Sequence, residues 1–118
     1  MSTLIACLST GKGTWSYVTQ SIRNEKWDKV ILVSTQFGKE NYKPDKIVEY
    51  LLIDPMQDTK EIRDVIYNNL KEKIKDVEVA LNLISGSGKE HMAIISAVLK
   101  LGLGIRFITP TKEGIEEL

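Results

Sequence analysis

VEVALNLISGSGKEHM, residues 77–92, decides how the rest of the chain is read. Val77, Val79, Leu81, Leu83 and Ile84 have the pattern of a buried strand, and the apolar run from Met92 to Leu101 predicts a helix. Between them lie glycines, hydroxyls, a lysine and the chain's single histidine, so the junction is strand, loop, helix. A loop of this kind gathers backbone N–H groups at a helix start, where unsatisfied donors and the positive end of the helix dipole favour an anion. Gly86 and Gly88 allow the backbone to bend and to approach a ligand closely. Ser85 and Ser87 add hydroxyl donors, and Lys89 adds a full charge. The outline is that of a phosphate site. It is not a Walker loop, which needs glycine where Leu83 stands and Ser or Thr where Glu90 stands. The same residues also suit a plain strand-to-helix turn with a serine cap.

A chain of 118 residues is expected to form one domain, residues 1–118, with room for a three-layer core. Its 42% apolar and 27% charged residues are ordinary for a globular protein, and no apolar run is long enough to span a bilayer. MSTLIACLST lacks the basic start and cleavage site of a signal peptide and reads as a first strand. A cytoplasmic protein without membrane contact is expected. The single Cys7 sits inside that strand and reads as a small core residue. Sixteen basic residues balance sixteen acidic ones, which argues against a duplex nucleic acid partner, whose binding scales with the phosphates neutralised. A small anionic ligand held by a local cluster remains compatible.

Residues 3–9 form a compact apolar strand and run into Thr10, Gly11, Lys12, Gly13 and Thr14. This second loop of glycines, hydroxyls and a lysine opens a helix over about 14–24, with Tyr17, Val18, Ile22 and Trp27 on its apolar side. Residues 29–35 predict the next buried strand, ending in Ser34 and Thr35. The polar stretch 36–45 predicts a loop with at most one helical turn, and 47–53 another strand. Asp58 or Thr59 caps a helix running to about Lys75, on which Ile62, Val65, Ile66, Leu70 and Ile74 recur at helical spacing. Gly102 and Gly104 stop the helix after the central loop. A strand over 105–109 is expected to end at Pro110, before a short last segment, 115–118.

Apolar strands alternating with helices imply a mainly parallel central sheet with helices on both faces, a three-layer α/β/α sandwich joined by right-handed crossovers. Such sheets bind ligands beyond the carboxyl ends of their strands, where strand order reverses. Two loops of matching chemistry follow the first strand and the strand at 77–84. If those strands are neighbours at the reversal, the loops converge into one ligand site.

The order of elements, the polar loop after the first strand, and the run Asn82-Leu83-Ile84-Ser85-Gly86-Ser87-Gly88-Lys89-Glu90-His91-Met92 with the LGLGIRF strand beyond it together resemble a CARF domain. These are the Rossmann-like sensor domains of type III CRISPR systems. The resemblance covers essentially the whole chain, with its specific part in this loop. Three departures stand out. Ser85 follows Asn82 by three residues instead of two, Gly-Ser-Gly replaces Gly-Gly-Thr, and the second crossover helix is missing or shortened at 36–45.

The resemblance implies a homodimer that binds a cyclic oligoadenylate, cyclic tetra-adenylate being favoured, across its two-fold axis, with no cofactor and no metal. Carried over by position, Ser9, Thr10 and Gly11 match the loop after the first strand. Ser85, Gly86, Ser87, Gly88 and Lys89 match the second loop, and Ser34 and Thr35 lead to the adenine pocket. Lys12 and Gly13 are added as ligand contacts from the character of their loop, and His91 from its place beside the second loop. Some relatives cleave the ring without metal, as ring nucleases. That role would give Lys89 the developing negative charge, and Ser9 or Thr10 the orientation of the phosphate or the ribose 2′-hydroxyl. His91 suits packing or capping as well as proton transfer. Trp15 and Tyr17 suit either adenine stacking or core contacts.

Many CARF domains are fused to an effector, for which this length leaves no room. A stand-alone ring nuclease or sponge, a subunit acting on a separate effector, or a piece of something longer would each fit. Two other classes stay open: a non-catalytic nucleotide sensor, and a domain for an ordinary nucleotide, although the GxGxxG fingerprint is absent.

Overall fold

The computed structural model describes residues 2–8 and 11–118. The first strand, β1 (Thr3–Leu8), is buried along its whole length, as a strand covered on both faces must be. A short 3-10 turn (Lys12–Thr14) leads into α1 (Trp15–Arg23), followed by β2 (Lys29–Ser34), α2 (Gln36–Asn41) and β3 (Glu49–Leu52). The second half continues with α3 (Thr59–Lys73), β4 (Glu78–Asn82), α4 (Gly88–Lys100), β5 (Gly104–Thr111) and β6 (Gly114–Glu117).

These strands form one sheet in the order β3-β2-β1-β4-β5-β6. All pairings are parallel except that of β5 with β6. The order runs outward in one direction from β1 through β3, then restarts on the other side of β1 with β4. Strand order therefore reverses between β1 and β4, where Ala6 lies opposite Asn82. Alternate residues of each strand enter two separate cores. Ile5, Cys7, Ile31, Val33, Val79 and Leu81 pack with Ile62, Ile66 and Leu70 of α3 and with Ala93, Ile94, Ala97 and Val98 of α4. Leu4, Ala6, Leu8, Val30 and Leu32 pack on the other face with Trp15, Val18 and Ile22 of α1. The result is the expected three-layer, Rossmann-like α/β/α fold. Among the described residues no helix is long and apolar enough to cross a membrane.

Several element boundaries differ from those expected. The stretch read as a loop holds α2, made possible by the close packing of Gly38, where an added Cβ would collide with Ser34 Oγ. Helix α4 begins at Gly88, four residues before its apolar run, because Ser87 and Glu90 form a capping box that recruits the polar turn. The strand expected to end at Pro110 continues to Thr111. Its pairing with β4 ends at Phe107, and residues 108–111 pair only with β6, so the missing proline N–H costs no bond on the β4 side. Val77 and Ile84, expected in the buried strand, flank β4 and are exposed.

Candidate functional site

Both glycine-containing loops leave the carboxyl ends of β1 and β4, the neighbours at the reversal of strand order. The parallel register thus delivers them to the same edge of the sheet, as required for a crevice at a topological switch point. A direct contact brings the second loop onto β1. A Cβ added at Gly86 would lie 2.5 Å from Cys7 Sγ, in the strand that leads to the first loop. Ser9 and Thr10 lie outside the described residues.

Hydrogen bonds fix the second loop from below. The buried Asn82 donates from Nδ2 to the Ile108 carbonyl at 3.0 Å and accepts from the Ile84 N–H at 3.4 Å, extending the tie between β4 and β5 past the backbone ladder. Ser85 is wholly buried, and Gly86 turns the chain with φ of 106°, a conformation that favours glycine. Ser87 caps α4: its Oγ accepts from the Glu90 N–H at 3.3 Å, while the Ser87 N–H donates to Glu90 Oε1 at 2.8 Å. His91 Nε2 lies 2.8 Å from the Ser85 carbonyl, which only accepts, so this nitrogen carries the proton and braces the loop against the first helical turn.

Beneath the loop sits a pair of buried acids. Cys7 Sγ is 3.9 Å from Glu90 Oε1, and Glu90 is 7% exposed. Burial pushes the Cys7 thiol well above its usual range, and the negative charge of Glu90 pushes it further, so the thiol stays protonated and unreactive.

The other glycines of the two loops obey no such constraint. Gly11, Gly13 and Gly88 have no described atom within 4 Å of an added Cβ, and none has a positive φ. Among the described residues nothing bars a side chain at any of the three. Within α4 itself the N–H groups of Gly88 and Lys89 have no acceptor, as at any helix start. Lys12 is exposed, with its ammonium 5.9 Å from the ring centroid of Trp15, a cation–π distance.

Other singled-out side chains are committed elsewhere. Lys89 Nζ donates to the Pro55 carbonyl at 2.9 Å, bridging α4 to the connection between β3 and α3. Ser34 donates to the Thr35 carbonyl at 2.9 Å, and Thr35 Oγ1 caps α2 by accepting from the Gly38 N–H at 3.3 Å. Both are buried at the end of β2. Trp15 is buried against Phe37 and Tyr42, at 6.2 and 5.6 Å between ring centroids, which makes it a core residue, whereas Tyr17 is half exposed. Sequence reasoning gave no role to Glu90, although Ser-x-x-Glu at 87–90 is the signature of a capping box. The clamp made by Asn82 had no signal of its own, since its acceptor lies 26 residues away.

A groove lined by Trp27, Asp28, Lys29, Val30, Lys46 and Glu49 opens at the amino ends of β2 and β3, the opposite end of the sheet from both loops.

No protein-family model matches the chain, and no curated protein matches it. Solved structures do. The chain is similar to Enterococcus italicus Csm6 bound to cyclic hexa-2'-fluoro-hexa-dAMP, with a TM-score of 0.62 and 16% identity over 92% of this chain and 32% of that one. It is also similar to protein VC1899 from Vibrio cholerae, with a TM-score of 0.67 and 11% identity over 99% of this chain and 33% of that one. The chain thus spans about a third of the length of each. At these identities the likeness is one of fold alone, a Rossmann-like α/β/α arrangement shared over nearly the whole of this chain.

Proposed function

We propose that this chain binds a cyclic oligoadenylate in the crevice above β1 and β4. The observation that carries this reading is the pairing of two loops at the reversal of strand order, with glycines at 11, 13 and 88 that the fold itself does not require. A glycine without an internal reason leaves room for the close approach of something from outside. The likeness in fold to Csm6, whose structure holds a cyclic hexanucleotide, supports a ring as that ligand.

The reading extends to a cytoplasmic homodimer of single-domain chains, because a symmetric ring of phosphodiesters suits a two-fold site offering both loops twice. Cyclic tetra-adenylate is the favoured ring. In the enzymatic form of this reading, a ribose 2′-hydroxyl attacks the neighbouring phosphorus and loses its proton. The bond to the 5′ oxygen breaks and that oxygen takes up a proton, leaving a linear product with a 2′,3′-cyclic phosphate. No metal is needed when the groups are held in line and the added negative charge is stabilised. Lys89 would supply that stabilisation, and Ser9 or Thr10 the orientation. Removing the ring would switch off type III CRISPR antiviral signalling.

The engagement of Lys89 with the Pro55 carbonyl favours a second reading, a sensor or sponge that holds the ring without cleaving it. Incubating the protein in EDTA with cyclic tetra- and hexa-adenylate, following both binding and products, separates the two. Linear products ending in cyclic phosphate, absent from Lys89→Ala and from a 2′-fluoro ring that lacks the attacking hydroxyl, establish a ring nuclease. Tight binding without products leaves the sensor. If neither ring binds, the reading fails and ordinary nucleotides take its place.

A further inference from the structure

We propose that Glu90 sets the charge selectivity of this site, so that it takes phosphodiesters and rejects terminal phosphomonoesters. The inference rests on the reading above, in which a phosphate of the ligand lies at the start of α4. A helix start attracts anions through a partial positive charge of about half a unit. Here a whole negative charge is built into that start. Glu90 is 7% exposed, and its Oε1 accepts the Ser87 N–H at 2.8 Å, which removes that amide from the donors available to a ligand. The Lys89 ammonium, on the neighbouring residue, is held at the Pro55 carbonyl. What remains is the amide cradle at Gly88 and Lys89, set against a fixed and poorly screened carboxylate. Such a balance suits a single negative charge. A phosphodiester carries one, whereas a monoester carries between about one and a half and two near neutrality. The extra charge would face Glu90 through protein, where repulsion is weakly diminished by salt.

Glu90→Gln separates charge from geometry, because the amide oxygen can still accept the Ser87 N–H. Binding of cyclic tetra-adenylate is measured against linear tetra-adenylate carrying a 5′-phosphate, with urea unfolding to establish that the variant is folded. The natural chain should prefer the ring, and Glu90→Gln should raise the relative affinity for the phosphorylated linear chain by about tenfold, the scale of one charge pair separated by several ångströms near a protein surface. A ligand-side test needs no variant: capping the 5′-phosphate as its methyl diester should bring most of that gain to the natural chain. A folded Glu90→Gln with an unmoved ratio, or a methyl cap without effect, overturns the role of Glu90 while leaving ring binding intact. Failure of the natural chain to bind any ring overturns the underlying reading, and this inference with it.

Discussion

Gly86 and Gly88 stand two residues apart and answer to different constraints. At Gly86 both the backbone, with φ of 106°, and the neighbours Cys7 Sγ and His91 Nε2, 2.5 and 3.0 Å from an added Cβ, exclude a side chain. At Gly88, in the first turn of α4, nothing does. Gly86→Ala should therefore destabilise the protein by at least about 1–3 kcal/mol, the cost of a strained conformation, before the contact with Cys7 is counted. Gly88→Ala should raise stability by about 0.5–1 kcal/mol, since alanine loses less entropy in a helix. Urea midpoints measure both, and ring binding measured on the more stable Gly88→Ala should nevertheless weaken. A more stable variant that binds unchanged would show that this glycine serves no ligand. Cys7 gives a prediction in pH. Its folded thiol titrates above its ordinary value of about 8.5, chiefly through burial and secondarily through Glu90. Above that pH the unfolded chain loses a proton that the folded chain keeps, so stability is complete below about pH 8.5 and falls as pH rises, by about 1.4 kcal/mol per unit. Tyr42 and Tyr50, also raised mainly by burial, add the same sign only above about pH 10. Urea unfolding from pH 7.5 to 10 should show this slope in the natural chain and lose it in Cys7→Ala; equal slopes in the two would refute the assignment.

Among the elements, legibility followed the locality of the forces. Helix α3 was readable end to end because its signals lie within its own sequence: Asp58 and Glu61 make its capping box, and Ile62, Ile66 and Leu70 form its buried stripe. The start of α4 lies four residues before its apolar run, because the equivalent box at Ser87 extends the helix into a polar turn that apolar periodicity does not mark. Helix α2 was hidden for a different reason. It has six residues and buries only Gly38, so it carries no apolar stripe. It is held through the Thr35 cap and the fit of Gly38 against Ser34 and Leu8, contacts that exist only after β1 and β2 have paired. Strand β5 runs past Pro110, which within its own sequence reads as a terminator. A proline is tolerated where only one neighbouring strand remains, and that circumstance belongs to the sheet rather than to the strand.

For the whole molecule, alternation of strands and helices is enough to predict a parallel three-layer sheet, but it does not say which strands are neighbours. The observed order resolves it by placing β4 directly against β1. Two loops separated by some seventy residues of sequence thereby come to one edge, and the groove lined by Trp27, Lys29 and Lys46 falls at the other. This polarity decides where a ligand should be felt. A ring bound as proposed touches both loops at once, since one loop follows β1 and the other follows its neighbour β4. Hydrogen exchange with and without cyclic tetra-adenylate should therefore slow together at residues 11–15 and 85–90. Amides at 27–30 and 46–49 should exchange unchanged, because the sheet separates them from the site. Protection confined to 85–90 would reduce the site to a single anion-binding turn, and the first loop would lose its part. Protection at 46–49 without change at either loop would move the ligand to the groove and sink the reading of the switch point. Concerted protection of the two loops is the outcome expected if the ligand sits at the reversal of strand order.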